Sequence, residues 1–320
     1  MTKVRSYLSL IKFSHTIFAM PFALIGFFLS IASSWQWYFG HKQQVDEYIF
    51  YPSGYSPLFP NNADYPKTTT ELVVRFLLVI LCMVFARSAA MAFNRYLDRK
   101  WDALNPRTAI REIPKGIITP KNALLFTIAN CILFITTTWF INRICFFLSP
   151  VALAVVLGYS YTKRFTPLCH LILGLGLSLA PIGAYLAVTG VFHWLPILFS
   201  LAVLSWVSGF DIIYALQDVD FDQSQNLYSI PAWLGKEKAL RVSEVLHLLS
   251  AFCVVAAGKF GHFGVLYWIG VLVFIGCLIY QHSIVKPNDL RRVNIAFMTT
   301  NGIASVVFAI FVIADLFVHF

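Results

Sequence analysis

Windows of about twenty predominantly apolar residues, the length that crosses a hydrocarbon core of roughly 30 Å as helix, recur about nine times along this chain. They fall near 13–33, 72–92, 122–141, 145–162, 168–189, 196–215, 242–258, 263–281 and 293–316. With 58% hydrophobic and only 12% charged residues, the sequence has too few polar side chains to cover a water-soluble domain of this size. In lipid every backbone polar group must be satisfied internally, and uninterrupted runs of this length do that as helices. The expectation is an all-α fold, a polytopic membrane bundle of about nine transmembrane helices forming one domain over residues 1–320. Only Asn142 to Ile144 separate the third and fourth windows.

The first run follows Lys3, Arg5 and Lys12 and is too long for a cleaved leader, so it reads as the first span. Six cysteines (82, 131, 145, 169, 253 and 277) lie in or beside apolar runs with no CxxC pair, as buried free thiols do. The formal charge of +9 does not point to nucleic acid, because the basic residues alternate from one connection to the next. With the N-terminus inside, alternate connections hold Lys3, Arg5 and Lys12; seven Lys or Arg between 95 and 121; Lys163 and Arg164; Lys236, Lys238 and Arg241; and Lys286, Arg291 and Arg292. That is 18 of the 24 Lys and Arg, against Lys42, Lys67, Arg143 and Lys259 on the other side. The positive-inside rule then gives N-in, C-out. Residues 34–71, rich in Pro, Gly, Asn and Tyr, read as an irregular external loop insertion.

Against this background the stretch "FNRYLDRKWDALNPRT", 93–108, is costly. Residues four apart on a helix are offset by only about 40°, so Asn94, Asp98 and Asp102 form one polar stripe. Arg87, seven residues before Asn94, extends it two turns into the second span. The stretch "DIIYALQDVDFDQSQ", 211–225, repeats the design with Asp211, Asp218 and Asp222, while Asp220 turns to another face. Such stripes are expected to face a protein cavity rather than lipid. Both lie at inner ends of spans, and facing carboxylates repel unless cations lie between them. An all-oxygen donor set suits Mg²⁺ or Ca²⁺ rather than zinc, and Mg²⁺ on carboxylates commonly shares its shell with phosphate. Solvated helix ends balanced by Arg95, Arg99 and Lys100 are the plain alternative for either stripe alone. In a third inner segment, "GYSYTKRFTP", Tyr159 and Lys163 share a face beside Arg164, offering a hydroxyl and two cations to phosphate oxygens.

Asn94-x-x-x-Asp98-x-x-x-Asp102 with "NPRT", then "YSYTKR", then "DIIYALQDVDFD" resemble, in order and spacing, the UbiA superfamily of intramembrane prenyltransferases. The likeness runs from "KFSHTIFAMPFALIG" (12–26) to "SIPAWLGKEKAL" (229–240), and its wording is most similar to the 4-hydroxybenzoate polyprenyltransferase and menaquinone-pathway branch. The resemblance implies a nine-helix bundle around a central cavity open to the cytoplasmic side and to lipid. It implies Mg²⁺-dependent transfer of a polyprenyl group from its diphosphate to an aromatic acceptor. Asn94, Asp98, Asp102, Asp218 and Asp222 match the family's metal motifs; Tyr159 and Lys163, with Arg164 adjacent, match its diphosphate motif; Asp211 matches an acid that orients or deprotonates the acceptor. Arg87 is left with three roles: an ion pair with Asp211, a hold on an acceptor carboxylate, or a contact to diphosphate. Localisation in a bacterial inner membrane, with the polar site on its cytoplasmic side, follows. Two other readings compete: another acceptor such as haem on the same scaffold, and an ion-coupled transporter, for which intramembrane acids are also expected.

Overall fold

The computed structural model describes residues 3–11, 18–38, 66 and 68–319. The described chain is helical, its single β-bridge joining Lys286 and Asp289. A short helix α1 (Lys3–Leu10) precedes α2 (Met20–Tyr38), α3 (Thr69–Leu104), α4 (Pro120–Trp139), α5 (Arg143–Thr162), α6 (Cys169–Thr189) and α7 (Trp194–Ala215). A 3₁₀ turn, Leu216–Asp218, leads into the short helices α8 (Val219–Ser224) and α9 (Ile230–Leu234). Then follow α10 (Lys236–Phe260), α11 (Val265–Ile284), a π turn at Ile295–Thr300, and α12 (Asn301–His319). Among the described residues, eight segments are long and apolar enough to cross a membrane, and α2 adds the shorter apolar stretch Met20–Ala32.

The expected all-α bundle is therefore present, with its boundaries corrected. The first span begins at Met20 rather than 13, and residues 13–17 lie outside the described residues. The loop expected over 34–71 is shorter at both ends: 34–38 continue α2, and Thr69 opens α3. Residues 39–65 and 67 lie outside the described residues. The second span extends twelve residues past position 92, to Leu104, so the acidic stripe is the far end of the same helix.

Local chemistry sets these ends. The Thr68 hydroxyl accepts from Glu71 N at 3.2 Å and starts α3. Thr119 does the same for α4, with Pro120 in the first turn where no backbone donor is needed. Asn142 both caps α5, accepting from Cys145 N at 2.9 Å, and donates across to Leu186 O at 2.8 Å. One residue thus turns the chain between α4 and α5 and ties it to α6.

Lipid offers helices no hydrophobic drive to associate, so small residues and hydrogen bonds do the work. A Cβ on Gly174 of α6 would lie 2.5 Å from Leu204 O and 2.3 Å from Ser208 Oγ, so α6 and α7 approach backbone to side chain there. Phe22, Phe199, Trp206, Tyr267, Phe274 and Phe308 form the centre of the largest core cluster. Inside it, the Trp206 indole and Gln281 amide both donate to Asn301 Oδ1, at 2.9 and 2.5 Å, pinning α7 and α11 to α12. Asp315, 2% exposed, accepts from Gly264 N and Tyr267 N at 2.7 and 3.2 Å and caps the start of α11. Leu125, Ile132, Phe147, Leu272 and Ile310 point outward, as lipid-facing side chains would.

Candidate active site

The C-terminal ends of α3, α5 and α7, the second, fourth and sixth spans, meet at one end of the bundle, as alternate spans must. They enclose a cavity of about 300 Å³. Its lining includes every residue singled out from the sequence: Arg87, Asn94, Asp98 and Asp102 on α3; Tyr159, Lys163 and Arg164 at the end of α5; Asp211, Asp218 and Asp222 on α7 and its continuation. Asp220 is exposed and lies outside the lining, in line with its helical phase. The 3₁₀ turn at Leu216–Asp218 breaks the α-helical count, yet Asp211, Asp218 and Asp222 still share the cavity.

The charge balance is not the one that the plain alternative of solvated helix ends required. Arg95, Arg99 and Lys100 form no ion pair with these acids among the described residues; Arg99 Nη1 donates to Tyr96 O at 2.6 Å instead. Four other cations take the role. Arg107, in the loop after α3, meets Asp218 with two nitrogens, Nε to Oδ1 at 3.1 Å and Nη2 to Oδ2 at 2.5 Å, and donates to the Tyr214 hydroxyl at 3.0 Å. Arg111 Nη1 reaches Asp102 Oδ1 at 2.5 Å. Lys163 Nζ lies 2.7 Å from Asp222 Oδ1. Arg164 lies 3.3 Å from Asp98 and stacks over Trp101 and Tyr161. Burial pulls the Lys163 ammonium down but the Asp222 carboxylate outweighs it, so its pKa is raised. Arg107 behaves likewise, with Asp218 overriding burial.

Asn94 Nδ2 donates to Asp98 Oδ2 at 3.0 Å, and Ser229 Oγ donates to Asp222 Oδ2 at 3.0 Å. Asp102 Oδ2 is buried with no hydrogen-bond partner among the described residues. No three of the described His, Cys, Asp and Glu side chains converge as a ready-made ligand group. The donor chemistry nonetheless fits a hard cation: five oxygen-bearing side chains, from α3, the 3₁₀ turn and α8, line one cavity, and Asp102 Oδ2 there lacks a donor among the described residues.

The Arg87–Asp211 ion pair does not form. Asp211 Oδ2 is instead 2.6 Å from His170 Nδ1, near the start of α6, and Arg87 makes no ion pair among the described residues. Arg95, 4% exposed, also lines the cavity, and Nε of both arginines is buried without a hydrogen-bond acceptor. Away from these groups the lining is mostly apolar and aromatic, with Met91, Leu173, Leu177 and Val207 beside Phe18, Phe210 and Phe297. These three rings sit 5.5–5.6 Å apart, and Phe297, carried by the π turn, stacks on Tyr214 at 4.1 Å. Arg107, Arg111, Arg95 and His170 are the cavity groups that sequence reasoning did not assign.

A model of the UbiA prenyltransferase family matches residues 66–303. The 4-hydroxybenzoate octaprenyltransferase of Tolumonas auensis is 30% identical over 234 residues, 73% of this chain and 82% of that protein. The enzyme of the same name from Aeromonas salmonicida is 29% identical over 233 residues, 72% and 80% of the two chains. Among solved structures, a UbiA homolog from Aeropyrum pernix K1 superposes with a TM-score of 0.72 at 27% identity, covering 95% of this chain and 98% of its own. A UbiA homolog from Archaeoglobus fulgidus bound to DMAPP and Mg²⁺ shares the fold, with a TM-score of 0.70 at 18% identity over 98% and 99% of the chains.

Proposed function

The chain belongs to the UbiA prenyltransferase family, and from that premise we propose that it moves a polyprenyl group from its diphosphate to an aromatic hydroxy acid of the 4-hydroxybenzoate class. The product would be a quinone precursor, of the ubiquinone or menaquinone kind, made in a bacterial inner membrane. The N-in, C-out orientation puts the cavity on the cytoplasmic side, where the basic connections cluster. The observation that carries the reading is the meeting of two acid-bearing segments and four basic side chains on a cavity that also presents a run of apolar and aromatic groups.

Asn94, Asp98, Asp102, Asp218 and Asp222 are the residues that would hold Mg²⁺. Bound there, Mg²⁺ neutralises charge developing on the departing diphosphate. Lys163, Arg107, Arg111 and Arg164 are donors whose present partners are carboxylates; a diphosphate offers them further anionic oxygens, and Tyr159 adds a hydroxyl. The prenyl C1–O bond breaks with its electron pair leaving on the diphosphate. A ring carbon of the acceptor supplies the pair for the new C–C bond, and that carbon's proton passes to the departing diphosphate, which restores the aromatic ring. Phe18, Phe210 and Phe297 present ring faces and edges to the cation-like prenyl carbon. Asp211 takes the hydrogen bond of the acceptor hydroxyl, and Arg87, with no carboxylate partner of its own among the described residues, takes the acceptor carboxylate. The tail lies along Met91, Leu173, Leu177 and Val207 and stays out of water, at roughly 25 cal/mol for each square ångström.

The test uses purified protein in lipid vesicles, one polyprenyl diphosphate and a panel of aromatic acids, read by mass spectrometry. A prenylated hydroxybenzoate-type product that requires Mg²⁺ and disappears with EDTA is expected. No prenylated aromatic from any acid, or substrate counterflow without turnover, overturns the reading.

A further inference from the structure

His170 is a buried ionisable group of the cavity that the proposed chemistry leaves unused. It is 3% exposed, near the start of α6, and its two ring nitrogens meet different things. Nδ1 lies 2.6 Å from Asp211 Oδ2. Nε2 lies 3.4 Å from the backbone nitrogen of Ile230, whose hydrogen points at it. A nitrogen that faces a donor must itself accept, so the ring hydrogen sits on Nδ1 and is given to Asp211. A half-turn of the ring would put carbons, Cδ2 and Cε1, where Nδ1 and Nε2 now stand, and would break both contacts. The backbone of His170 is fixed as well, its carbonyl accepting from Ser208 Oγ at 3.1 Å.

We propose that His170 is a positioning residue that selects which oxygen of Asp211 meets the acceptor. With Oδ2 held by the imidazole, Oδ1 is left for the acceptor hydroxyl, and the carboxylate cannot rotate to offer the other. The same imidazole refers Asp211 to the start of α9. There the preceding residue, Ser229, donates to Asp222 Oδ2 at 3.0 Å, while Tyr228 N donates to Lys163 O at 2.7 Å. The acid that holds the acceptor and the acid and lysine that face the diphosphate are thus tied to one short segment, 228–230. This sets the spacing between the acceptor hydroxyl and the prenyl C1, and with it the ring carbon that is attacked. The inference rests on the prenyl-transfer reading above, but its first test does not use activity.

In protein carrying ¹⁵N-labelled histidine, the His170 signal, assigned by its loss in His170→Asn, is expected to show a protonated Nδ1 and an unprotonated Nε2. Asp211→Ala should remove that preference. A protonated Nε2 with bare Nδ1, or no response to Asp211→Ala, overturns the proposal whether or not prenyl transfer is found. The second test is kinetic. Asparagine can place an amide donor where Nδ1 was; alanine and glutamine cannot. His170→Ala and His170→Gln are expected to lose about 100-fold in kcat/KM for the acceptor, the cost of an ångström-scale misplacement. The KM for the prenyl diphosphate should stay unchanged, and the product should become a mixture of ring positions. His170→Asn should recover most of the rate and the single product. Equal loss in Ala and Asn variants of native melting temperature, or a parallel rise in the diphosphate KM, would make His170 merely structural and overturn the assignment.

Discussion

Replacing Lys163 by methionine should damage stability and catalysis by separable amounts. Lys163 Nζ sits 2.7 Å from Asp222 Oδ1, and the Asp222 side chain is fully buried while that of Lys163 is 34% exposed. At an effective dielectric of about 20 the attraction is roughly 6 kcal/mol before desolvation is subtracted. Removing one partner of a fully buried pair costs about 3–5 kcal/mol. Water reaching the lysine screens part of this, so about 2 kcal/mol is expected here. For a chain of 320 residues that corresponds to a fall in melting temperature of roughly 3 °C. Because Asp222 raises the lysine's pKa, this stabilisation is fully present below the ordinary lysine value. It is lost only as pH rises through the raised one, so the loss in Lys163→Met should not vary near neutrality. Activity should fall further, by about 10²–10³ in kcat, the usual cost of one preorganised donor to a developing anion. The decisive comparison is Lys163→Met with Asp222→Asn added. Removing the stranded charge, with the Ser229 hydroxyl still available to the amide, should restore most of the melting temperature and none of the activity. If the double variant melts no higher than the single one, or the single one melts like the native chain, the pair does not carry the energy assigned to it.

Two further outcomes follow from the geometry. Arg87→Gln should raise the acceptor KM by about 10–100-fold, as loss of a charge-assisted bond does, and leave the prenyl-diphosphate KM unchanged; competition assays with unlabelled substrates read both. Gly174→Ala places a methyl 2.5 Å from Leu204 O and 2.3 Å from Ser208 Oγ. It should cost about 1–3 kcal/mol of stability, visible in a detergent melt, with reduced turnover because α6 and α7 carry His170 and Asp211.

Apolar length was a sound guide to the number of helices because lipid tolerates no other backbone, but a poor guide to their ends. Thr69–Leu104 begins before its apolar window and runs twelve residues past it, and α10 opens at Lys236, six residues before its window. A helix starts where its cap starts it, at Thr68 or Thr119, and not where its hydropathy rises.

The site divides along a similar line. Arg87, Asn94, Asp98 and Asp102 could be read together because a rigid helix converts spacing into direction. Asp211, Asp218 and Asp222 were legible for that reason too, the 3₁₀ turn notwithstanding. Arg107 and Arg111 were not assigned, though they lie five and nine residues beyond Asp102. Past Asn105 the chain leaves the helix, and a loop's return path has no period to count. Their only trace was two arginines in a segment already crowded with charge, where membrane orientation explains basic residues equally well. His170 carried less signal still: one imidazole in an apolar run. Its contact with Asp211 exists because Gly174, one turn further along α6, lets that helix close on α7. The Arg87–Asp211 pair, one of the three roles open to Arg87 from the sequence, is absent for the same reason. Depth along two helices was read correctly, but the partner of Asp211 was decided by a third helix. Residues that act through one helix are therefore visible in such a sequence, whereas residues that act through the contact between two become visible only when the small residues that permit the contact are read with them.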